Sequence, residues 1–579
     1  MKRGFALAAF VAIMVAPSAG AHPSGHTTLD HSIAPQHPSA AYSDLTTGDP
    51  WPRLLRDGAG ALDATAKAGR EDRRQSLLYF GQLTDFQLSD EESPARVEFL
   101  DVDQSPTSPA HRPQEALVAF LADQAIRALN DLTTSPHGTD AALDLTLVTG
   151  DQADNQQHNE VEWVVQLLEG GEIDPNSGVE DNMPICGRNG EAARYTGVQD
   201  YEDYTEGDFA YYDPNSPQGK WSAFPLYPGL MDRAQKPFVA EGSAVPTYVT
   251  SGNHDSLAQG NAWSNAVYEA IAVGCSKPMT FLPGQPSPSF ISTSPENAVD
   301  VPGDPARRYV TKQENKQLHE DGGKPGAHGY EHVDPAEDAA SNGAASYYSF
   351  SPKPGLRIIS IDTVSEGGTI GDSSNGNVDD PQFQWLSGEL AEAEAAGELV
   401  IAMGHHPIRS LSSVTPDEAA PQCLGVPNEP NPGCDPDPRI STPLHGGNKL
   451  RDLFLAHPHV IAYVSGHTHE HKLLPFKRAD GSGGFWELNT SSIVDWPVQG
   501  RVIELVDNND DTLSILSTVF DHNGPITAEP AGTNALGLDE GQLAAIGRTL
   551  AYNDPGAGPG VADGQAGDRN VELVLPDPR

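Results

Sequence analysis

With 579 residues, 81 acidic against 35 basic side chains and a formal net charge of −46, the chain lacks the clustered Lys and Arg that a general nucleic-acid surface needs. The length is enough to bury a large core in one or more domains. The acidity suits solubility or a salty medium and says nothing about a substrate. Residues 1–21 read as a signal peptide: Lys2 and Arg3, an apolar run from Phe5 to Val15, then the small-residue site Ala19-Gly20-Ala21. That run is too short to span a bilayer and no later one is long and apolar enough. The mature chain is therefore expected to be exported, secreted or held in the cell envelope, with no transmembrane segment. Residues 22–70, rich in His, Pro, Ser, Gly and Ala, read as an extended arm, its four histidines belonging to a flexible tail rather than a metal site.

A first strand is expected over residues 76–83. Leu117, Phe120, Leu121, Ala125, Ile126 and Leu129 then recur at helical spacing and predict a helix over 114–132. A strand at 143–149 and a helix at 160–168 continue the alternation, which argues for a mixed or parallel sheet with helices outside. Periodicity fails over about 170–245 and 277–343, two insertions expected to form a lid or substrate wall. Strands are expected again at 345–350 and 356–362, a helix at 381–396, a strand before His405, a helix at 447–456 and a strand before His467. Four further strands, at 470–475, 484–489, 501–506 and 512–519, sit at hairpin spacing and suggest a second, partly antiparallel sheet packed on the first. A weak helix at 540–551 is the only regular element expected beyond Asn523. Four cysteines in an exported chain point to disulfides. Cys423 with Cys434 would close a loop, worth roughly 3 kcal/mol on the chain-entropy account, which leaves Cys186 with Cys275.

Five short polar turns, each after an apolar strand, carry the chemistry: Asp85-x-Gln87, Gly150-Asp151-x-x-Asp154, Gly252-Asn253-His254-Asp255, His405-x-Pro407 and Gly466-His467-Thr468-His469. Parallel strands ending side by side would gather these groups at the carboxyl edge of one sheet, where ligands of open α/β sheets bind. Seven or eight oxygen and nitrogen donors converging there make a metal site, most readily for two ions. A Gly-x-Ser-x-Gly elbow, a Walker loop and a Gly-x-Gly-x-x-Gly turn are all missing from the sequence, so serine-hydrolase, nucleotide-switch and Rossmann readings fall away.

In this order, the five motifs resemble those of the calcineurin-like metallophosphoesterases, with Gln87 where most of that superfamily has a histidine ligand. The resemblance implies an α/β fold, a four-layer α-β-β-α sandwich of two mixed sheets with the metal site at strand carboxyl ends. The catalytic domain would span 71–523, followed by a tail at 524–579. It implies hydrolysis of phosphate mono- or diesters by in-line attack of a hydroxide shared by two metal ions, Mn, Fe or Zn. Ions about 3.5–4 Å apart need a bridging carboxylate, and the resemblance gives that role to Asp151. Asn253, His405 and His467 would complete one site, Asp85 and His469 the other. His254 would protonate or stabilise the leaving oxygen, with Asp154 orienting its ring.

Three readings of Gln87 stay open: its oxygen ligates the first metal, it only supports a ligand, or Asp154 swings into the vacated position as a tyrosine does in purple acid phosphatases. Asp495 and Trp496, which follow a late strand, are read as lining the substrate pocket. His406 is expected to point into structure, and His445, His457 and His459 to lie away from the site. The substrate class is a small-molecule, lipid or nucleotide phosphoester. The competing class is a binding or scaffold protein that kept the fold and lost catalysis, with Gln87 as its first sign. The intact Asp151, Asn253 and His254 weigh against it.

Overall fold

The computed structural model describes residues 26–101, 110–178, 195–200, 210–280, 293–294, 297–322, 328–367, 374–419, 437–556 and 560–579. The expected leader at 1–21 lies outside them, and each expected cysteine pairing involves at least one residue outside them. In chain order the first strands are β1 (Ser32–Pro35), β2 (Leu45–Gly48), β3 (Leu54–Arg56) and the long β4 (Gln75–Leu83). Next come β5 (Leu145–Val148), β6 (Gly171–Ile173), β7 (Phe238–Ala240), β8 (Thr247–Val249), β9 (Ser276–Pro278) and β10 (Ala298–Asp300). The second half supplies β11 (Tyr348–Phe350), β12 (Leu356–Ser360), β13 (Leu399–Met403), β14 (Val460–Ser465) and β15 (Lys472–Lys477). It ends with β16 (Gly484–Asn489), β17 (Gln499–Asp507), β18 (Thr512–Asp521) and β19 (Val571–Pro576).

Two large sheets result. A seven-stranded one runs β3-β19-β18-β17-β4-β5-β8 and a six-stranded one runs β11-β12-β13-β14-β16-β15. At one end of the first sheet β4, β5 and β8 are parallel neighbours, Phe80 opposite Leu145 and Thr146 opposite Thr247. β12, β13, β14 and β16 are parallel in the second. Antiparallel β17 and β15 make both sheets mixed, and with the intervening helices the fold is mixed α/β.

Side-chain alternation along the strands decides what each face covers. Ile358, Ile401, Met403 and Val464 of the second sheet share one core with Leu78, Phe80, Leu147 and Val249 of the first. Their neighbours Ile359, Val400, Ala402 and Tyr463 point the other way, onto Leu386, Leu390, Leu450 and Phe454. These four come from the helices Asp380–Ala396 and Gly447–Ala456. The helix Val118–Asp131 adds Phe120, Leu121, Ala125 and Leu129 to the shared core. β5, β13 and β14 are buried at every position, as strands covered on both faces must be, and that is why, Thr146 and Ser465 aside, they read as apolar runs.

Hairpin spacing places the last strands together in the second sheet, and the structure divides them. β15 and β16 join the second sheet, whereas β17 and β18 join the first, β17 pairing antiparallel with β4 from Arg501 opposite Gln82 onward. This covers the flank of β4 that would otherwise be an open edge. The segment expected as an extended arm carries β1 to β3, and β3 pairs parallel to β19. The expected tail supplies the helix Glu540–Asn553 and β19, which extends the first sheet beside β18. A three-residue edge strand such as Leu54-Leu55-Arg56 is too short to show a period. The two insertions contain the pairs β6–β7 and β9–β10 and the helix Lys312–Glu320. No helix among the described residues is long and apolar enough to cross a membrane.

Candidate metal centre

Each motif lies just past the carboxyl end of a strand, in a loop or, for Asn253 and His254, in the helical turn Asn253–Ser256. Asp85 and Gln87 follow β4, Asp151 follows β5, Asn253 and His254 follow β8, His405 follows β13, and His467 and His469 follow β14. The sequence reading gathers them on one sheet. The structure instead draws them from two, three loops from the parallel end of the first sheet and two from the second. The loops then lock to one another: Asp85 N donates to Gly150 O at 3.0 Å, Gln87 N to Asp151 O at 2.8 Å, and Gly466 N to His405 O at 2.9 Å.

The turns are tight. Asp85, Gln87, Asp151, His467 and His469 all adopt left-handed backbone, with φ of 53°, 45°, 52°, 70° and 50°. Such conformations cost about 1–3 kcal/mol each for non-glycine residues and persist only where surrounding structure imposes them. The motif glycines serve close approach: a Cβ on Gly466 would lie 2.5 Å from Asp85 Oδ2, and one on Gly150 would lie 2.6 Å from His405 Nδ1.

Several side chains converge acceptor to acceptor, with no protein donor between them. His405 Nδ1 donates to the Thr149 carbonyl at 2.8 Å, so its Nε2 carries the lone pair. That Nε2 lies 3.1 Å from Asp151 Oδ2 and 3.0 Å from Asn253 Oδ1. His469 repeats the pattern, with Nδ1 2.7 Å from Asp495 Oδ2 and Nε2 3.2 Å from Asp85 Oδ1. His467 Nδ1 is 3.2 Å from Asn253 Oδ1. One ligand atom from each of Asp85, Asp151 and His405 lies within 4.8 Å of the others. Lone pairs facing lone pairs in a buried site need a cation between them.

Gln87 brings an amide to the same place, and turning that amide over would present its oxygen. Its Nε2 sits 3.3 Å from Asp151 Oδ2 and 3.5 Å from His469 Nε2, while its buried Oε1 has no hydrogen-bond partner. A mixed imidazole, carboxylate and amide set suits Mn, Fe or Zn. The surrounding carboxylates favour a positive charge at these nitrogens, a proton in the apoprotein and a metal ion in its place. Burial pushes the His405 imidazole down, yet Asp151 outweighs it and holds it up at about 9. Burial opposes His469 too, and Asp85 with Asp495 lifts it to about 10.

His254 is placed differently. Its backbone N donates to Asp151 Oδ1 at 2.8 Å, and its ring Nδ1 donates to the Asp154 carbonyl at 2.8 Å with Asp154 Oδ1 3.4 Å away. Nε2 is thereby left to face the cavity. Asp154 is itself ion-paired to Arg96, which also holds Glu115 at 2.7 Å. Burial raises the Asp154 carboxyl, but Arg96 and His254 bring it down to about 2. This pairing keeps Asp154 beside His254, not in the position of Gln87.

Asp495, read from sequence as pocket lining, sits between His469 Nδ1 and Arg112 Nε, 2.7 Å from each. It also lines the cavity, as does Trp496, whose Nε1 donates to Asp563 Oδ1 at 3.0 Å. An acceptor behind a ligating imidazole fixes its tautomer and ring orientation. Asp495→Asn is therefore expected to weaken metal binding about 10–100-fold, read by titrating the apoprotein with metal; unchanged affinity would remove Asp495 from that role.

Sequence reasoning passed over Arg96, Arg112 and Glu115, and gave no role to Asp255. Asp255 Oδ1 accepts from Gln152 N at 2.9 Å and Ala153 N at 3.0 Å, and Oδ2 accepts from Gly252 N at 2.8 Å, so it ties the second and third motif loops together. Its place in the Gly-Asn-His-Asp run is the one signal that marks it. His406 uses both ring nitrogens, on Thr363 Oγ1 at 2.8 Å and Ser374 O at 3.2 Å. His445, His457 and His459 bond to Asp380, Glu394 and the Glu398 carbonyl, away from the site.

The motif residues floor a cavity of about 530 Å³, into which Gln87, Asp151, Asn253, His254, His467 and His469 project. A solved dimetal phosphatase from Danio rerio is similar in structure at 11% sequence identity, covering 77% of this chain and 100% of its own, with a TM-score of 0.34. No curated protein matches the sequence. Residues 203–471 match the sequence model of the calcineurin-like phosphoesterases, a span that holds the Asn253, His405 and His467 motifs and begins after Asp85 and Asp151.

Proposed function

We propose that the chain is an exported phosphoesterase that holds two metal ions and hydrolyses phosphate mono- or diesters, within the four-layer sandwich its motifs imply. The observation that carries the reading is the meeting of two oriented imidazole lone pairs, His405 Nε2 and His469 Nε2, with carboxylate and amide oxygens that have no proton to share. Asn253, His405 and His467 would hold one ion and Asp85, His469 and the Gln87 oxygen the other. Asp151 Oδ2, 3.1 Å from His405 Nε2 and 3.3 Å from Gln87 Nε2, would be common to both. Such ions supply Lewis-acid polarisation of a phosphoryl oxygen and a strong nucleophile at neutral pH. The protein's own part is to orient the ester in the cavity and to present the His254 Nε2 proton to the leaving oxygen. Export rests on residues 1–21.

The reading is tested by metal content from mass spectrometry together with turnover of nitrophenyl phosphate mono- and diesters under several divalent cations. Two equivalents of metal and turnover lost in chelator are expected; one or none, with no ester cleaved, would refute it. Gln87→Ala should weaken one ion selectively while the Asn253, His405 and His467 site stays filled. Gln87→His should tighten the same site and shift its preference toward Zn or Fe. Metal titration of the two variants checks both, and selective loss of metal in Asp154→Ala but not in Gln87→Ala would give the ligand role to Asp154.

A further inference from the structure

The proposal that follows rests on the phosphoesterase reading and names the substrate class. Away from the motif loops, the 530 Å³ cavity is walled by apolar side chains. One wall is the cluster of Val97, Leu100 and Ala110, around the helical turn Glu98–Leu100. Another is Tyr268, Ile271 and Tyr309, packed with Ala95, Ala258 and Ala262, with Tyr268 and Ile271 on the helix Ala266–Ala272. Val561, 71% exposed, stands at the rim.

The polar residues in these walls are engaged with the chain itself. Gln259 Oε1 accepts from Val97 N at 2.8 Å, and Asn261 Nδ2 donates to the Gln259 carbonyl at 2.7 Å. Among the described lining residues, Arg112 is the one Lys or Arg side chain, and it is bound to Asp495 at 2.7 Å. A second phosphate would find no cation to meet it there. The volume lies within the roughly 300–1,000 Å³ that encloses a whole small molecule.

We infer that the alcohol part of the ester is a bulky, uncharged, apolar group, seated between the Val97–Leu100 and Tyr268–Ile271 walls while the phosphoryl group meets the motif residues. Sugar, polyol and polyphosphate esters are disfavoured by the same walls, because their hydroxyl and charged groups would be desolvated without partners. An extended alkyl chain and a fused aromatic ring share this chemistry and differ in shape.

The test uses the full metal-loaded protein and non-hydrolysable phosphonates, with binding read by calorimetry. Affinity should rise about fourfold per methylene from methyl- to octylphosphonate, as burial of each methylene predicts. kcat/KM for the matching alkyl phosphates should climb in parallel. Naphthylphosphonate binding tighter than octylphosphonate would assign an aryl occupant, and the reverse an alkyl one. Ile271→Asn and the rim variant Val561→Asp, whose exposed position spares the core, should each weaken octylphosphonate more than methylphosphonate. Affinity flat with chain length, or tighter for a glycerol- or nucleoside-derived phosphonate, would overturn the inference while metal-dependent turnover of nitrophenyl esters leaves the phosphoesterase reading standing. Absence of turnover on every ester would overturn both.

Discussion

Asp151→Asn is expected to abolish turnover and to lower metal content at both positions. Asp151 Oδ2 lies 3.1 Å from His405 Nε2 and 3.3 Å from Gln87 Nε2, while Oδ1 accepts the His254 backbone N–H at 2.8 Å. An amide keeps one of these two acceptors and turns the other into a donor. If the oxygen stays on His254 N, an N–H₂ group faces the His405 lone pair where a cation should be. If it flips, the His254 amide loses its acceptor and meets a donor. In either orientation the formal negative charge that two cations would share is gone. Loss of the several kcal/mol of transition-state charge stabilisation a metal supplies corresponds to a fall on the order of 10³-fold or more. Mass spectrometry and a nitrophenyl phosphate assay on one preparation read both effects, and a variant that still binds two ions tightly would take Asp151 out of the shared position.

The parts of this arrangement that were legible in the sequence are those with a local signature. β5, β13 and β14 are buried throughout and announce themselves as apolar runs, and the turn after each carries its ligand within a few residues. The helix over Val118–Asp131 is equally legible because its large apolar residues recur at helical spacing, even though the helix is buried on nearly every side. What stayed hidden depends on partners far away in the chain. Arg112 and Asp495 are 383 positions apart, and Arg96 reaches Asp154 across 58. A buried arginine looks like any other until its carboxylate is found. The assignment of β17 and β18 to the first sheet turns on which edge lay open, a tertiary fact that hairpin spacing does not contain. Gln87 sits between the two cases. Sequence reveals the departure from histidine, and only an amide that lies beside Asp151 and His469 with its oxygen unpartnered suggests what it is for.

His254→Ala is expected to leave both metals bound and to cut turnover about 10²–10⁴-fold, the usual scale of general-acid help. The expectation of intact metal follows from geometry: His254 meets Asp151 through its backbone N–H at 2.8 Å, a bond that alanine retains, whereas its ring bonds to the Asp154 carbonyl. The loss should shrink for a nitrophenyl ester, whose leaving oxygen needs little protonation, and should be largest for an alkyl ester. The pH dependence gives a second, independent reading. Burial lowers the His254 imidazole, but the Asp151 and Asp154 carboxylates outweigh it and hold it above its ordinary value. Cations on Asp151 would cancel its share of this lift and leave Asp154 as the carboxylate that holds the proton, and activity declines as pH rises through the His254 value. Asp154→Asn removes one of the two carboxylates and keeps the backbone acceptor, so the alkaline limb of kcat/KM should move to lower pH while the ring stays in place. An alkaline limb that does not move in Asp154→Asn, or metal lost in His254→Ala, would mean that His254 is not the acid: in the first case its proton is not the one that titrates, and in the second its ring is a ligand.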